Sequence, residues 1–248
     1  MGTNEEISKC SSEKDLGVTF DSHLKFSQHV NNSVSKANRI TGLIFKTFSY
    51  INKDMFLNLY KTLVRPHLEY GSCVWNQISI KDQILIENVQ RRATKRVKGL
   101  HNLTYEQRLR SLGIPSLQYR RKRADIVQVY KIINDIDIMD KDKLFTMSPV
   151  TVTRGHSKKI LKRGARLNVT KNKFNSRTVD TWNSLPENVV SAMTLNSFKS
   201  RLNKHWHNEP SKFTPTCFLM LLDWTTIVYK DTPPEAIELT TVLIYIIT

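Results

Sequence analysis

Cysteine is scarce: Cys10, Cys73 and Cys217 are the only three in 248 residues, they lie far apart, and no Cys-x-x-Cys pair occurs. Neither a disulfide framework nor a thiolate-rich zinc site can be assembled locally from that spacing, and a reducing, intracellular setting, nucleus or cytoplasm, is expected. No run of about 18 apolar residues is present, so no membrane association is expected. The opening MGTNEEISKCSSEKD has no signal-peptide pattern, and Glu6 stands where a myristoylation motif wants Ser or Thr. The Asn-x-Ser/Thr triplets at Asn31, Asn102 and Asn168 therefore carry no weight. Glycine is limited to eight residues, with no Walker-type or Rossmann series; HExxH and Gly-x-Ser-x-Gly are also missing. There is no adjacent Asp-Asp pair. A two-metal polymerase site needs carboxylates to hold its ions, and the scattered Asp135, Asp137, Asp140 and Asp142 read as a solvated helix end. No catalytic residue, resident metal, cofactor or small-molecule substrate is assigned to this chain.

Acid is the other shortage, and it shapes everything else. Lys and Arg number 38 against 22 Asp and Glu, giving a formal charge of +16 and a pI near 9.8. An ordinary acidic enzyme is excluded as the default. The imbalance is uneven: residues 213–248 carry −3 and residues 1–212 carry +19. From Lys143 to Val179 no acid occurs while basic residues accumulate. A merely solvated surface mixes signs, whereas this asymmetry fits a phosphate-backbone binder, whose affinity comes from counterion release. Apolar residues make up 40% and aromatics 9%, enough for one or two small cores rather than a disordered tail.

The pattern predicts a mainly α protein. Residues 1–22 form a polar leader and one short strand, in which Leu16, Val18 and Phe20 alternate. Residues 23–134 form a helical bundle of short antiparallel connections. Phe26, Val30, Val34, Ala37, Ile40, Ile44 and Phe48 stripe its first helix. Asn52 caps a second with Met55, Leu59, Leu63 and Val64 inward, and Pro66 breaks it near Arg65. A third, Lys81 to Val97, turns Leu85, Val89, Ala93 and Val97 inward. Thr104 caps a short helix stopped at Gly113-Ile114-Pro115, and Leu117 to Ile133 forms the next. Residues 135–173 read as a basic linker with short strands around Val150–Arg154. Residues 174–210 read as a small helical segment in which Leu195, Phe198, Leu202 and Trp206 stripe the last helix. Residues 211–248 are a divergent tail.

Within this frame the basic clusters are the functional signal. Arg91, Arg92, Lys95 and Arg96 span about one and a half turns, so several can face one phosphate strand while Val89, Ala93 and Val97 anchor the helix. Arg120, Arg121, Lys122 and Arg123 form a second cluster, and Arg154, Lys158 and Lys159 a third in the linker. Such residues supply affinity but not sequence choice. Tyr70 and Trp75 could stack on bases, yet their apolar surroundings favour core packing. His67 reads as structural, and His205-Trp206-His207 with Cys217 matches no zinc pattern.

Several segments, in order, carry a resemblance: EKDLGVTFDSHLKFSQHV, KANRITGLIFKTF, LYKTLVRPHLEYGSCVW, IENVQRRATKRV, LTYEQRLRSLGIPSLQYRRKRADIVQVYKIIN, TRGHSKK and FNSRTVDTWNSLPENVVSA. From about Ser12 to Trp206 the chain resembles the region that follows the catalytic palm in reverse transcriptases of LINE-type, jockey-like non-LTR retrotransposons. The resemblance implies the last palm strand, then a helical thumb and C-terminal region that grips RNA and DNA as template and primer, alongside an upstream palm domain. That family's magnesium-binding Asp-Asp box lies upstream of the EKDLGV segment and has no counterpart here, so no polymerase activity is expected of this chain alone. The alternative is a non-enzymatic, domesticated or degenerate module that binds protein.

Overall fold

At the start of the computed structural model, which describes residues 10–76, 79–149, 155–164 and 168–218, strand β1 (Ser12–Asp15) pairs antiparallel with β2 (Val18–Asp21). The single strand expected here is therefore a hairpin. Leu16 and Gly17 both take positive φ, 43° and 83°, the backbone that a two-residue hairpin turn requires. Leu16 consequently points into solvent, and of the three alternating residues only Val18 is buried. The Asp21 carboxylate then receives the backbone N–H groups of His23, Lys25 and Phe26, organising the turn into α1 (Ser27–Thr47).

Helix α1 buries Val30, Val34, Ala37 and Ile44 on the expected stripe. Asn52 caps α2 (Lys53–Leu59) through the Met55 amide. The break expected at Pro66 does not occur. A π-helical turn, Tyr60–Val64, closes with a bond from the Arg65 N–H to the Tyr60 carbonyl, and α3 (Arg65–Glu69) continues from it with Pro66 in its first turn. The wider turn accommodates a ring that would otherwise press on the carbonyl four residues back. The buried face becomes Phe56, Tyr60, Val64 and Leu68, while Leu63 is exposed. After α4 (Ser72–Trp75), Trp75 is buried and donates from Nε1 to the Tyr70 carbonyl; Tyr70 is exposed and its hydroxyl donates to the Leu16 carbonyl.

Helix α5 (Ile80–Lys95) packs along α1 with the chains running the same way. Ser27 meets Asp82 at 2.8 Å, Asn38 meets Arg92 at 3.3 Å, and Phe45 lies under Arg96. A capping box at Thr104 starts α6 (Tyr105–Leu112), and Gly113, at φ 63°, ends it. Helix α7 (Leu117–Ile133) follows with the boundaries that the sequence suggests. The buried Glu87 carboxylate accepts the Leu117 and Gln118 amides at the start of α7 and the Tyr105 hydroxyl at 2.6 Å. It joins α5, α6 and α7 at one point, where an anion suits a helix N-terminus.

The expected boundary is at residue 134, whereas the two buried cores meet within α7. Leu117 closes a first core running back to Val18, whereas Tyr119, Ile126, Val129, Tyr130, Ile132 and Ile133 belong to a second core. Helix α7 is thus the shared wall of both. The stretch read as a linker contributes Phe145, His156 and Ile160 to the interior. Residues 146–148 and 159–161 pair around a Met147–Ile160 bridge, through Ser148 N–H to Lys159 O and Leu161 N–H to Thr146 O. The strands expected at Val150–Arg154 lie outside the described residues. Short helices α8 (Lys141–Leu144), α9 (Asn168–Asn172), α10 (Phe174–Arg177), α11 (Val179–Asn183) and α12 (Glu187–Val190) lead to α13 (Leu195–His205). Trp182, Phe198 and Leu202 are fully buried there, with Phe198 stacked on Tyr130 at 4.1 Å. The first residues of the tail pack too: Ser116 holds the Ser211 and Lys212 carbonyls, and Gln118 pairs with Thr216. Cys217 is buried there, which pushes its thiol up to about 12.

Candidate nucleic-acid interface

Between Asp21 and Asp54 the sequence has no acid, and between Glu87 and Glu106 it has none either. The first interval is α1 and its exit; the second is the C-terminal half of α5 and the loop beyond. Parallel packing sets these two acid-free intervals side by side. The local reason is the pattern of α5, where Val89, Ala93 and Thr94 face inward and Arg92, Lys95 and Arg96 remain exposed. Residues at positions i, i+3 and i+4 share one helix face. On α1, Arg39 and Lys46 are exposed and seven residues apart, next in sequence to Asn38 and Phe45, which touch Arg92 and Arg96.

The geometry fixes these cations without neutralising them. The Arg96 guanidinium lies 4.2 Å from the Phe45 ring centroid, and the Lys98 ammonium 4.5 Å from that of Tyr50. Aromatic faces hold a cation in place and leave its charge intact. Among the described residues, no carboxylate lies within ion-pair distance of Arg39, Lys46, Arg92, Lys95, Arg96 or Lys98. Arg91 is half-buried and faces Phe218. Its carbonyl accepts from buried Arg108, which also binds Thr94 and the Leu103 carbonyl, tying the basic loop back onto α6. Burial pulls the Arg108 guanidinium below its usual range, and the nearby Arg91 charge adds to this.

The second nominated cluster lies elsewhere and is largely committed inside the protein. Arg120 pairs with Glu69, Lys122 with Glu209 at 2.8 Å, and Arg123 donates to Asn203 at 2.8 Å. Arg121 is buried, donates to Asn76, and its Nη1 has no hydrogen-bond partner among the described residues. In the third cluster, Lys158 is half-buried and bonds Asn134, Lys159 is half-buried, and Arg154 lies outside the described residues. The acid-free stretch 143–179 instead exposes Lys162, Arg163 and Lys171 around a cleft of about 500 Å³ floored by Phe145, Ile160 and Val179. There Lys162 pairs with Asp180 at 2.6 Å and Arg163 with Thr146 at 2.7 Å. Sequence reasoning missed Arg39, Lys46 and Lys98 as members of the α1–α5 face. Their signal was the acid-free interval after Asp21 for Arg39 and Lys46 and the one after Glu87 for Lys98, and these have meaning only once the two helices are seen to be neighbours.

Among the described residues, no three His, Cys, Asp or Glu side chains gather to hold a metal ion, and no helix is long and apolar enough to cross a membrane. The fold and surface define a mainly helical protein with an outer face whose cations meet no carboxylate among the described residues. No family model matches the chain, and no solved structure matches it. It is similar to a Caenorhabditis elegans protein described as uncharacterized, 26% identical over 125 residues, which are 49% of this chain. The chain spans 61% of that relative's length.

Proposed function

We propose that the chain grips nucleic acid through phosphates, as the thumb-like and following region of a non-LTR retrotransposon RNA-directed DNA polymerase, and that it performs no polymerisation itself. The observation that supports this reading is the α1–α5 face, on which α1 and the acid-free C-terminal half of α5 lie side by side and expose Arg39, Lys46, Arg92, Lys95 and Arg96. An internal structural role would leave such cations paired, as it does at Arg120 and Lys122. The ligand is an RNA–DNA primer–template. Its recognition rests on charge, so sequence preference is expected to be slight.

Titration of the full chain against a labelled primer–template across a salt series tests this. Each neutralised phosphate contributes roughly 0.9 to the log–log slope on duplex and 0.7 on single strands. Replacing Arg92, Lys95 and Arg96 with Ala should lower the slope by about 2 to 3 and weaken binding to all sequences alike. Unchanged affinity and slope would remove this face from the reading.

A second reading, a protein-binding module, draws on a different observation. Ile136, Ile138 and Met139 are all exposed just beyond α7, and Ile138 is fully so. Capture of a stoichiometric partner that survives nuclease treatment and is lost on Ile138→Asp would favour it.

A further inference from the structure

The cations of the α1–α5 face would serve a duplex or a single strand equally, because both present phosphates. The aromatic residues beside them distinguish the two. Helix α1 runs out into Phe48-Ser49-Tyr50, where Phe48 is 38% and Tyr50 57% exposed. Tyr50 is backed by the Lys98 ammonium, and one turn earlier Phe45 is backed by Arg96. Cation and ring therefore alternate along the seam: Arg92, Arg96 on Phe45, then Lys98 on Tyr50, with Lys46 beside them. The chain is anchored beneath: Ile51 is buried and its carbonyl accepts the Lys98 amide. The ledge is thus tied to the end of α5.

Paired bases in a duplex keep their faces stacked on one another, so exposed rings gain nothing from a duplex beyond ordinary contact. Unpaired bases offer free π-faces, and a positively charged track interleaved with aromatic rings is how proteins hold single strands without reading their sequence. A single exposed aromatic is unremarkable on a protein surface. Two of them at the end of an acid-free cationic face, one carrying a lysine ammonium, form a surface complementary in charge to a polyanion and in shape to its bases.

We infer that the occupant of this ledge is an unpaired nucleic-acid strand, with bases stacking on Tyr50 and Phe48 and phosphates meeting Lys46, Arg92, Lys95, Arg96 and Lys98. The inference rests on the nucleic-acid reading above and specifies which form is bound: the single-stranded stretch beyond a primer terminus rather than the paired region.

The test uses the full chain and two labelled probes, a 12-nucleotide oligouridylate and a duplex of 12 base pairs. Tyr50→Ala with Phe48→Ala is expected to weaken single-strand binding by roughly fivefold or more per ring, leave the salt slope unchanged and leave duplex binding within about twofold. Tyr50→Phe should bind as the wild type, since the ring and not the hydroxyl is used. Both side chains are on the surface, so the variants keep the fold, and matching thermal melts confirm it. Equal losses on both probes, or no loss on either, would overturn the ledge. The nucleic-acid reading would survive that result if the Arg92, Lys95 and Arg96 substitutions still lowered binding and slope. A wild-type chain that binds neither probe would remove both proposals together.

Discussion

Arg177→Ala should be among the most damaging single changes in the molecule. The Arg177 guanidinium bridges three segments: Nε and Nη2 contact the two Asp125 oxygens on α7, each at 3.0 Å, Nη2 also reaches the Cys73 carbonyl at 2.8 Å, and Nη1 the Asn172 carbonyl at 3.1 Å. The two side chains are only 14% and 6% exposed, so solvent screens the pair weakly. Truncating Arg177 leaves Asp125 buried with only uncharged partners, the Asn76 amide at 2.9 Å and the Cys73 thiol. Breaking a buried pair from one side costs about 3–5 kcal/mol, because a buried charge is left uncompensated. In a chain of this size that corresponds to a fall in melting temperature of roughly 10 °C. Urea denaturation followed by circular dichroism measures it directly. The double variant Asp125→Asn with Arg177→Met removes both charges, and it should be less destabilised than the sum of the single variants by at least 1 kcal/mol. A cost below about 1 kcal/mol for Arg177→Ala, or strict additivity in the cycle, would refute the argument that this pair staples α10 to α7.

Two smaller effects test the local readings of the chain. Thr104→Ala removes the side-chain acceptor of the Gln107 amide and half of the capping box on α6, which should cost about 1 kcal/mol in the same denaturation assay. At Asp21, burial opposes ionisation, but the amides of Lys25, Phe26 and His23 outweigh it and hold the carboxyl below its usual range. A depressed carboxylate contributes stability above its unfolded pKa and loses it as pH falls through the folded value. Asp21→Asn should therefore lower stability at neutral pH and flatten the acid limb of the stability profile; an unchanged acid limb would dismiss Asp21 as an organiser of the turn into α1.

The helices were legible where one strong period met clear ends. The stripe from Phe26 to Ile44, the Thr104 cap and the Gly113-Ile114-Pro115 stop gave α1, α6 and α7 nearly to the residue, because apolar spacing and capping are local properties of sequence. The hairpin was not, since Leu16 looks like a strand residue until Gly17 is recognised as the second member of a two-residue turn. The π-turn at Tyr60–Val64 defeated the usual reading of Pro66, because a helix can pass a proline by widening one turn. At the candidate interface, the α5 row was visible because alternate burial leaves one face outward. The Arg120–Arg123 cluster spreads around its helix, since consecutive helical residues point about 100° apart and only Arg120 and Arg123, three apart, share a face. The acids that meet them, Glu69 and Glu209, stand 51 and 87 residues away.

The same comparison explains how a chain this basic separates its structural cations from its surface ones. Acids are placed where the fold closes on itself: Glu69 and Asp125 between α7 and its neighbours, Glu87 beneath the start of α7, and Glu209 where the chain returns to it. Each is buried or half-buried, so its partner is fixed by packing as well as by charge. The intervals without acid fall instead on α1, on the outer half of α5 and on the Lys162–Lys171 rim, where the cations stay largely exposed. Clustered like charges destabilise a compact state through self-repulsion, so setting α1 beside the acid-free C-terminal half of α5 works against folding. The rings of Phe45 and Tyr50 relieve only part of that repulsion, since a cation over an aromatic face contributes about 0.5–1 kcal/mol at an exposed site. A polyanion relieves the rest by supplying the missing negative charge. The face should therefore stabilise the fold when occupied, with the gain shrinking as salt is raised, and that links the stability of the first core to the ligand it is proposed to hold.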